Sequence, residues 1–270
     1  MSAPALWRFE TAGLARARSG LLFALVFATA SVAVALVGLS AGGAVAVQGF
    51  ARTSVSLLQL VLWLVPLFAL IAGAVAGADC HDLEFIAALP VFRRHIVLAR
   101  WAAWAVALGA ALAAGLGAAG VAIGLLAGAA DGVRYLALVG VSELLLCALL
   151  ATGIAAGIAA RTRARALGAA VALWLFFVVG VDLIAMGLLA VLPAAGGRWG
   201  LSLLLLADPV DCARALGLGL FQADVVAGPL GAALHQVLGG WGAALLAGGL
   251  VLWTVLPLAL AARWFARRDL

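Results

Sequence analysis

The residues best suited to chemistry lie in one polar stretch of the sequence, GADCHDLEFIAALPVFRRH, at 77–95. It holds a cysteine, two histidines, two aspartates and a glutamate, which are residue types that bind metal ions or exchange protons. Cys80 and His81, however, are adjacent, and neighbouring residues on a helix do not share a face. No histidine pair four residues apart and no C-x-x-C motif completes a tetrahedral set. We therefore expect no metal site here.

The same stretch has the pattern of a short helix. Asp82 is a good N-cap, and Glu84 in the first turn complements the helix dipole. Pro90 ends the helix, because the residue before a proline avoids the helical region. With Phe85 and Leu89 along one edge, the pattern predicts a docking element for a soluble partner.

Two acids interrupt apolar runs elsewhere, Glu143 and Asp182. A charged side chain at the centre of a bilayer costs about 2.5–3.5 kcal/mol on insertion scales, so both are expected to face protein or water. They could form a proton relay or an ion site, or they could make an interhelical hydrogen bond or a subunit contact. We expect no basic partner for either in the middle of the membrane.

The composition indicates a membrane protein, because 67% of the residues are hydrophobic and only 10% are charged. Soluble domains carry about 25% charged residues. All sixteen basic residues are arginines. Without lysine the chain cannot itself be a P-loop ATPase or a Schiff-base enzyme. The three cysteines form no disulfide framework, and the three histidines lie at or beyond predicted membrane edges, which argues against haem ligation.

The apolar runs predict an all-α integral membrane protein, a single transmembrane domain over 1–270 with six spans. The spans are expected at about 20–39, 54–77, 101–127, 135–160, 166–192 and 239–262. Twelve of the sixteen arginines then fall on the side that holds both ends of the chain and the stretch at 77–95. The positive-inside rule places that side in the cytoplasm, which predicts a multi-pass protein of the bacterial inner membrane.

Two segments outside the spans have helical patterns. Residues 3–18 resemble an interfacial helix on the inner leaflet, although a charged flank of the first span explains them equally well. Between spans five and six an apolar run too short to cross is followed by Asp208 and Pro209. This order predicts broken outer helices, the second one capped by Asp208 with Pro209 at its first position.

Small residues recur at spacings that permit close helix packing, as in Gly109–Gly117–Gly124 and Gly153-x-x-x-Gly157. The chain has 33 glycines, so such spacings also arise by chance.

The sequence resembles the permease subunits of type-2 ABC exporters along its whole length. The similarity is carried by ARTSVSLLQLVLWLVPLFALIAG (51–73), LEFIAALPVFRR (83–94), LWLFFVVGVDLI (173–184), LLLLADPVDCARALGL (203–218) and FARRDL (265–270). Asp182 and the Pro-x-Asp-x-x-Arg element resemble in particular the permease of the nitrous oxide reductase maturation system. His81-Asp82 stand where the class commonly has Gly-Thr, and Asp208 stands where Asn is usual.

This resemblance implies a homodimeric permease clamped by two copies of a separate cytoplasmic ABC ATPase, which holds the ATP and Mg. The chain itself would be no enzyme and would bind no cofactor. It would also contact membrane lipid, and it would bind no nucleic acid. A periplasmic β-helical protein is the implied outer partner, in a system that assembles the copper site of nitrous oxide reductase. Three alternatives stay open: the system transports a sulfur species, it transports copper, or it transmits only mechanical motion across the membrane.

The resemblance also implies which residues act. The coupling helix that contacts the ATPase would comprise Asp79, His81, Asp82, Leu83, Glu84, Phe85, Leu89, Pro90, Val91, Arg93 and Arg94. The periplasmic partner or gate region would comprise Trp199, Asp208, Pro209, Asp211 and Arg214. The alternative is a stand-alone proton-coupled secondary transporter that uses Asp182 and Glu143. A membrane-embedded enzyme is disfavoured, because no paired carboxylates or histidine cluster lie within the spans.

Overall fold

The described part of the chain consists of helices. The computed structural model describes residues 18–40, 46–79, 93–127, 132–160, 162–191, 203–220 and 241–266. The helices, in chain order, are α1 (Arg18–Ser40), α2 (Ala46–Ala78), α3 (Arg93–Ala127), α4 (Gly132–Ala160), α5 (Arg163–Leu175), α6 (Val181–Val191), α7 (Pro209–Leu220) and α8 (Gly242–Ala266). A π-helical turn, Phe176–Gly180, joins α5 to α6 without a break.

Five helical segments are long and apolar enough to cross a membrane, by length and composition. They are Thr53–Ala78, Arg94–Leu126, Gly132–Ala160, Arg163–Leu188 and Gly242–Ala266. In α1 the apolar part, Phe23–Val37, is shorter. A helix pairs its own backbone N–H and C=O groups, for which hydrocarbon offers no hydrogen-bond partners. The predicted all-α membrane class is therefore confirmed, and every predicted span overlaps a helix, while the six-span layout stays a prediction.

Two helices begin well before the predicted spans. The α2 helix starts at Ala46 rather than near residue 54, and α3 starts at Arg93 rather than near residue 101. Hydropathy marks only the part of a helix that suits hydrocarbon, and no proline or glycine interrupts the chain between Arg93 and residue 101. Both helices therefore extend beyond their apolar cores at one end.

The centre of the bundle is α4, which packs against α2, α3, α5, α7 and α8. Its buried side runs from Tyr135 to Ile158. The α1 helix is peripheral and packs mainly on α3 and α2, while α5 packs on α2 and α4. The α2–α4 pair is thus the scaffold on which the polar residues of α5 to α7 are placed.

The α2 and α4 helices approach so closely that glycine is required at their contact. A Cβ added at Gly153 would lie 2.6 Å from the carbonyl oxygen of Leu70. One added at Gly157 would overlap the carbonyl oxygen of Ala74, and Gly77 meets the backbone of α4 in the same way. The predicted Gly153-x-x-x-Gly157 packing face is therefore confirmed as a backbone-to-backbone contact.

The other glycine pattern does not form a packing face. Gly117 and Gly124 have open space where a side chain would stand. Gly109 alone of the three is crowded, by the side chain of Glu143. The prediction of close packing is wrong for Gly117 and Gly124, because spacing alone does not tell which side of a helix meets a neighbour.

The helix break predicted before the last span is present. A helical turn at 203–206 is followed by two non-helical residues, and α7 begins at Pro209. The α7 helix packs against α8, α4 and α2, which places its polar first turn against the bundle. The predicted interfacial helix at 3–18 lies outside the described residues.

Candidate functional site

Polar residues collect at two places, and the first is the end where α2 and α4 finish and α3 and α5 begin. We call it the arginine-rich end; its described arginines include Arg93, Arg94, Arg100, Arg163 and Arg165. Most of the predicted coupling helix lies outside the described residues, together with Cys80 and Trp199. The predicted site residues concerned are His81, Asp82, Leu83, Glu84, Phe85, Leu89, Pro90 and Val91.

Three members of the predicted coupling set flank that segment. Asp79 directly follows α2, and Arg93 and Arg94 open α3. Within the described residues no group of three or more His, Cys, Asp or Glu could hold a metal ion. Because Cys80 and His81 are not among them, the absence of a metal site at this end stays a prediction.

Asp79 forms a bidentate ion pair with the first residue of α5. Arg163 donates from Nε to Oδ1 and from Nη2 to Oδ2 of Asp79, each at 2.7 Å. Parallel guanidinium–carboxylate bonds of this kind are short and fix the relative direction of the two groups. The Thr162 hydroxyl caps α5 by accepting from the backbone N–H of Arg165 at 3.4 Å. The end of α2 is thereby joined to the start of α5.

A second arginine ties α3 to α2 at the same end. Arg100 Nη1 donates to the carbonyl oxygen of Ala76 at 3.0 Å, in the last turn of α2, where carbonyl groups lack helical partners. One residue further, Trp101 donates its indole N–H to the carbonyl oxygen of Cys147 at 3.2 Å. The helices on both sides of the 80–92 segment are therefore held by polar contacts as well as by apolar packing.

The second polar place is the start of α7. The backbone N–H of Val210 donates to Asp208 Oδ1 at 3.0 Å, and the N–H of Cys212 donates to the Asp208 carbonyl oxygen at 3.0 Å. Pro209 is the first helical residue. The predicted N-cap at Asp208, followed by Pro209 as the first helical residue, is thus confirmed. This cap depends only on neighbouring residues in the sequence.

Arg214 lies between two carboxylates. Its Nη1 is 3.0 Å from Asp182 Oδ1, in the first turn of α6, and 2.8 Å from Asp211 Oδ1, one turn earlier in α7. The expectation that Asp182 has no basic partner is therefore wrong. The pairing was missed because Asp182 and Arg214 are 32 residues apart, and only the return of α7 onto the bundle brings them together. We call Asp182, Asp208, Asp211 and Arg214 the α7 cluster.

The turn before Asp182 is irregular. Phe176–Gly180 is π-helical, a form that is found mostly as short bulges and often at functional sites. Its buried Phe177 makes an edge-on contact with Trp253 of α8, with ring centroids 5.5 Å apart. Trp253 in turn donates its indole N–H to the Leu206 carbonyl oxygen at 3.3 Å, just before the helix break. Apolar and polar contacts thus both connect the π turn to the region of α7.

Burial shifts the acidic groups of α7 towards their neutral forms. Burial, followed by the charge of Asp211, raises the pKa of Asp208 to about 8. Burial also raises the pKa of Asp211 above its ordinary value, against the attraction of Arg214. The second oxygen of Asp208, Oδ2, has no hydrogen-bond partner among the described residues. The cluster therefore has more acid than its one guanidinium balances.

A pH test of this arrangement follows for Asp208. Its pKa is raised from 3.8 to about 8 on folding, so the folded protein takes up a proton in that window and loses stability as the pH rises through it. Asp208→Asn keeps the cap but cannot ionise. We expect its free energy of unfolding in detergent at pH 8.5 to exceed that of the unsubstituted protein by at least about 1.4 kcal/mol, the equivalent of one pKa unit.

Measurements at about pH 3 provide the control, because Asp208 is then protonated in both the folded and the unfolded protein and the two proteins should differ little. An equal difference at both pH values would show that the Asn variant acts on packing. No difference at either value would place the pKa of Asp208 near its ordinary range.

Glu143 belongs to neither polar place. It lies in α4 over Gly109 of α3, where an added Cβ would be 2.6 Å from Oε2. Its Oε1 has no hydrogen-bond partner within the described residues. No hydrogen bond or ion pair joins Glu143 to Asp182 in that part of the chain, and their use in a proton relay or an ion site stays a prediction.

The similarity to known proteins covers nearly all of these elements. A model of the family described as ABC-2 family transporter protein matches residues 82–270. The chain belongs to the ABC-2 transporter family. Two relatives carry the name probable ABC transporter permease protein NosY. The one from Pseudomonas aeruginosa is 33% identical over 282 residues, which is 99% of this chain and 100% of the relative. The one from Stutzerimonas stutzeri is 31% identical over 212 residues, which is 75% of this chain and 76% of the relative.

The resemblance drawn from the sequence motifs is thereby confirmed for this ABC-2 permease. The family match includes the predicted coupling helix from Asp82 onward, the π turn and the whole α7 cluster. Sequence reasoning missed Arg163, which it used only as a marker of topology, and it missed Arg214 as the partner of Asp182. Only the three-dimensional positions of α5 and α7 identify these two arginines as partners of acids.

Proposed function

We propose that this ABC-2 protein is the non-catalytic membrane subunit of an ATP-driven transporter. It would couple ATP hydrolysis by a separate cytoplasmic ATPase to export or to mechanical work on a periplasmic partner. The observation that carries the proposal is the similarity to NosY permeases over nearly the whole chain. The missing P-loop lysine supports it, because ATP must then be held by another polypeptide.

The proposed topology has six spans with both chain ends in the cytoplasm of a bacterial cell, in the inner membrane. It rests on the helices found at the predicted spans and on the placement of arginines. In this topology the arginine-rich end is cytoplasmic. The α7 cluster then lies on the part of the bundle nearer the periplasm, because Asp182 is nineteen residues along the helix from Arg163.

The proposed assembly contains two copies of this chain and two copies of a NosF-like ATPase, which supplies ATP and Mg. The segment that includes Phe85 and Leu89, at the arginine-rich end, is the proposed ATPase contact. The relatives' name further supports a role in copper-site maturation of nitrous oxide reductase. A NosD-like β-helical protein is then the proposed periplasmic partner, at the region of Trp199 and the α7 cluster.

The decisive experiment is purification from the native operon in mild detergent, followed by identification of the subunits and their ratio. We expect an ABC ATPase in equal number with this chain. In the same preparation, Leu89→Asp is expected to weaken ATPase retention by about tenfold or more, because a charge replaces an apolar contact worth about 1.5–3 kcal/mol. Leu183→Asp is unsuitable as a control, since it lies within a span.

The matched control is Arg165→Asp, which also adds negative charge at the arginine-rich end but on an exposed side chain of α5. Full ATPase retention by Leu89→Asp would refute the coupling contact. Transport by the chain alone in proteoliposomes, lost in Asp182→Asn, would instead support the proton-coupled alternative.

A further inference from the structure

The two ion pairs described above are attached to a single helical rod. Arg163 is the first residue of α5, and Asp182 lies in the first turn of α6, with the π turn continuing the helix between them. At 1.5 Å per residue, the nineteen steps between the two residues span about 28 Å. This is close to the thickness of a hydrocarbon core, about 30 Å. The rod thus carries one ion pair near each membrane face.

The first pair joins the rod to the end of α2, directly before the segment proposed to contact the ATPase. Asp79 is the last described residue before that segment, and its carboxylate receives both bonds from Arg163. The partners are 84 residues apart in sequence, so the pair is no consequence of local helix geometry. A bidentate pair transmits direction as well as distance, because both oxygens of one group are held by the other.

The pair is too exposed to be explained by stability. The Arg163 side chain is 67% exposed and that of Asp79 is 24% exposed. Pairs between exposed groups contribute little to the free energy of folding. Arg163 can therefore be altered while the bundle stays folded, and an effect of its substitution would report on motion.

The second pair joins the rod to α7. Asp182 receives a hydrogen bond from Arg214 at 3.0 Å, and the contact of Phe177 with Trp253 lies one turn before it. Displacement of α6 along or across its axis would therefore move Arg214 and the start of α7.

We propose that Asp79 and Arg163 form the link by which movement at the end of α2 is passed to the α5–α6 rod. The rod delivers that movement through Asp182 and Arg214 to α7. Both residues of the link are positioning residues, and the proposal rests on the proposed function. It requires a rigid-body shift of one helix, with the ion pair at each end kept intact.

The test places a spin label on α7 and asks whether ATP moves it. Gly219 is exposed, and a Cβ there meets no atom within 4 Å, so Gly219→Cys provides a labelling site. Cys80→Ser removes a competing thiol in the same chain. The labelled complex with its own ATPase, in lipid nanodiscs, is measured with and without ATP and vanadate, alongside ATPase retention and hydrolysis rate.

The Arg163→Asp variant is expected to retain the ATPase and its basal hydrolysis. The ATP-dependent change in the spectrum of the spin label at position 219 should fall by about fivefold or more. Arg163→Lys, which keeps the charge and loses the second bond, should have a smaller effect. Adding Asp79→Arg to Arg163→Asp restores an ion pair with reversed charges, and we expect at least half of the signal to return. Arg165→Asp is the matched control and should leave the signal unchanged.

The outcomes separate the link from the function on which it rests. If the unsubstituted chain retains no ATPase, the proposed function is wrong. If the ATPase is retained and Arg163→Asp keeps the full signal, the link is wrong. Failure of the reversed pair to restore the signal, or loss of the ATPase from the reversed variant, would also overturn it, since Asp79 would then act as an ATPase contact.

Discussion

Gly157→Ala is expected to destabilise the protein strongly, although it adds a single methyl group. The new Cβ would overlap the carbonyl oxygen of Ala74, and the atoms in its way belong to the backbone of α2. A side chain could rotate aside, but the α2 helix must move as a whole. Overpacking in a well-packed core costs about 1–3 kcal/mol, and we expect the upper part of that range because no rotamer relieves the overlap.

Gly140→Ala is the matched control, because it makes the same change in the same helix. A Cβ at Gly140 meets nothing within 4 Å, and the position is exposed. Alanine also has the better helix propensity, by about 0.8–1.0 kcal/mol in water, and this gain applies to both variants. Unfolding midpoints in detergent and the yield of folded protein would be compared. Equal stability of the two variants would show that the α2–α4 contact is not as close as described.

The five long apolar helices of the described chain could be predicted because each one contains about twenty apolar residues in sequence, enough to cross a hydrocarbon core. Their ends could not, since polar extensions of a helix leave no trace in hydropathy. The start of α3 at Arg93 illustrates this, because RRHIVLAR reads as a charged flank although it is helical throughout. Class and family were thus accessible from composition and short motifs, whereas the helix ends were not.

The α7 cluster shows the same division between local and distant information. The cap at Asp208 and the start at Pro209 were predictable, because an N-cap involves only neighbouring residues. The partnership of Asp182 with Arg214 was not, since it depends on α7 returning to α6. The glycine spacings failed as a guide for a similar reason. Gly153 and Gly117 have comparable sequence surroundings, but a neighbouring helix faces only the first.

Arg214→Gln is expected to be the most disruptive substitution of a charged residue among those described. The Asp211 side chain is only 6% exposed and pairs with Arg214 at 2.8 Å. Removing the guanidinium leaves that carboxylate buried without a cation and also takes the partner from Asp182. Breaking a buried pair on one side costs about 3–5 kcal/mol. We expect about 3 kcal/mol, because Asp182 is 44% exposed and water can compensate part of its loss.

The acidic partners provide the decisive comparison. If the loss arises from uncompensated charge, adding Asp211→Asn to Arg214→Gln should recover more than half of the lost stability, because the buried anion is then gone. Adding Asp182→Asn should recover less, since that carboxylate is half exposed. Arg165→Gln removes an exposed arginine and should cost less than about 0.5 kcal/mol. If the variant with both Arg214→Gln and Asp211→Asn were no more stable than Arg214→Gln alone, Arg214 would contribute through the packing of its side chain. The difference in burial between Asp211 and Asp182 would then have no effect on stability.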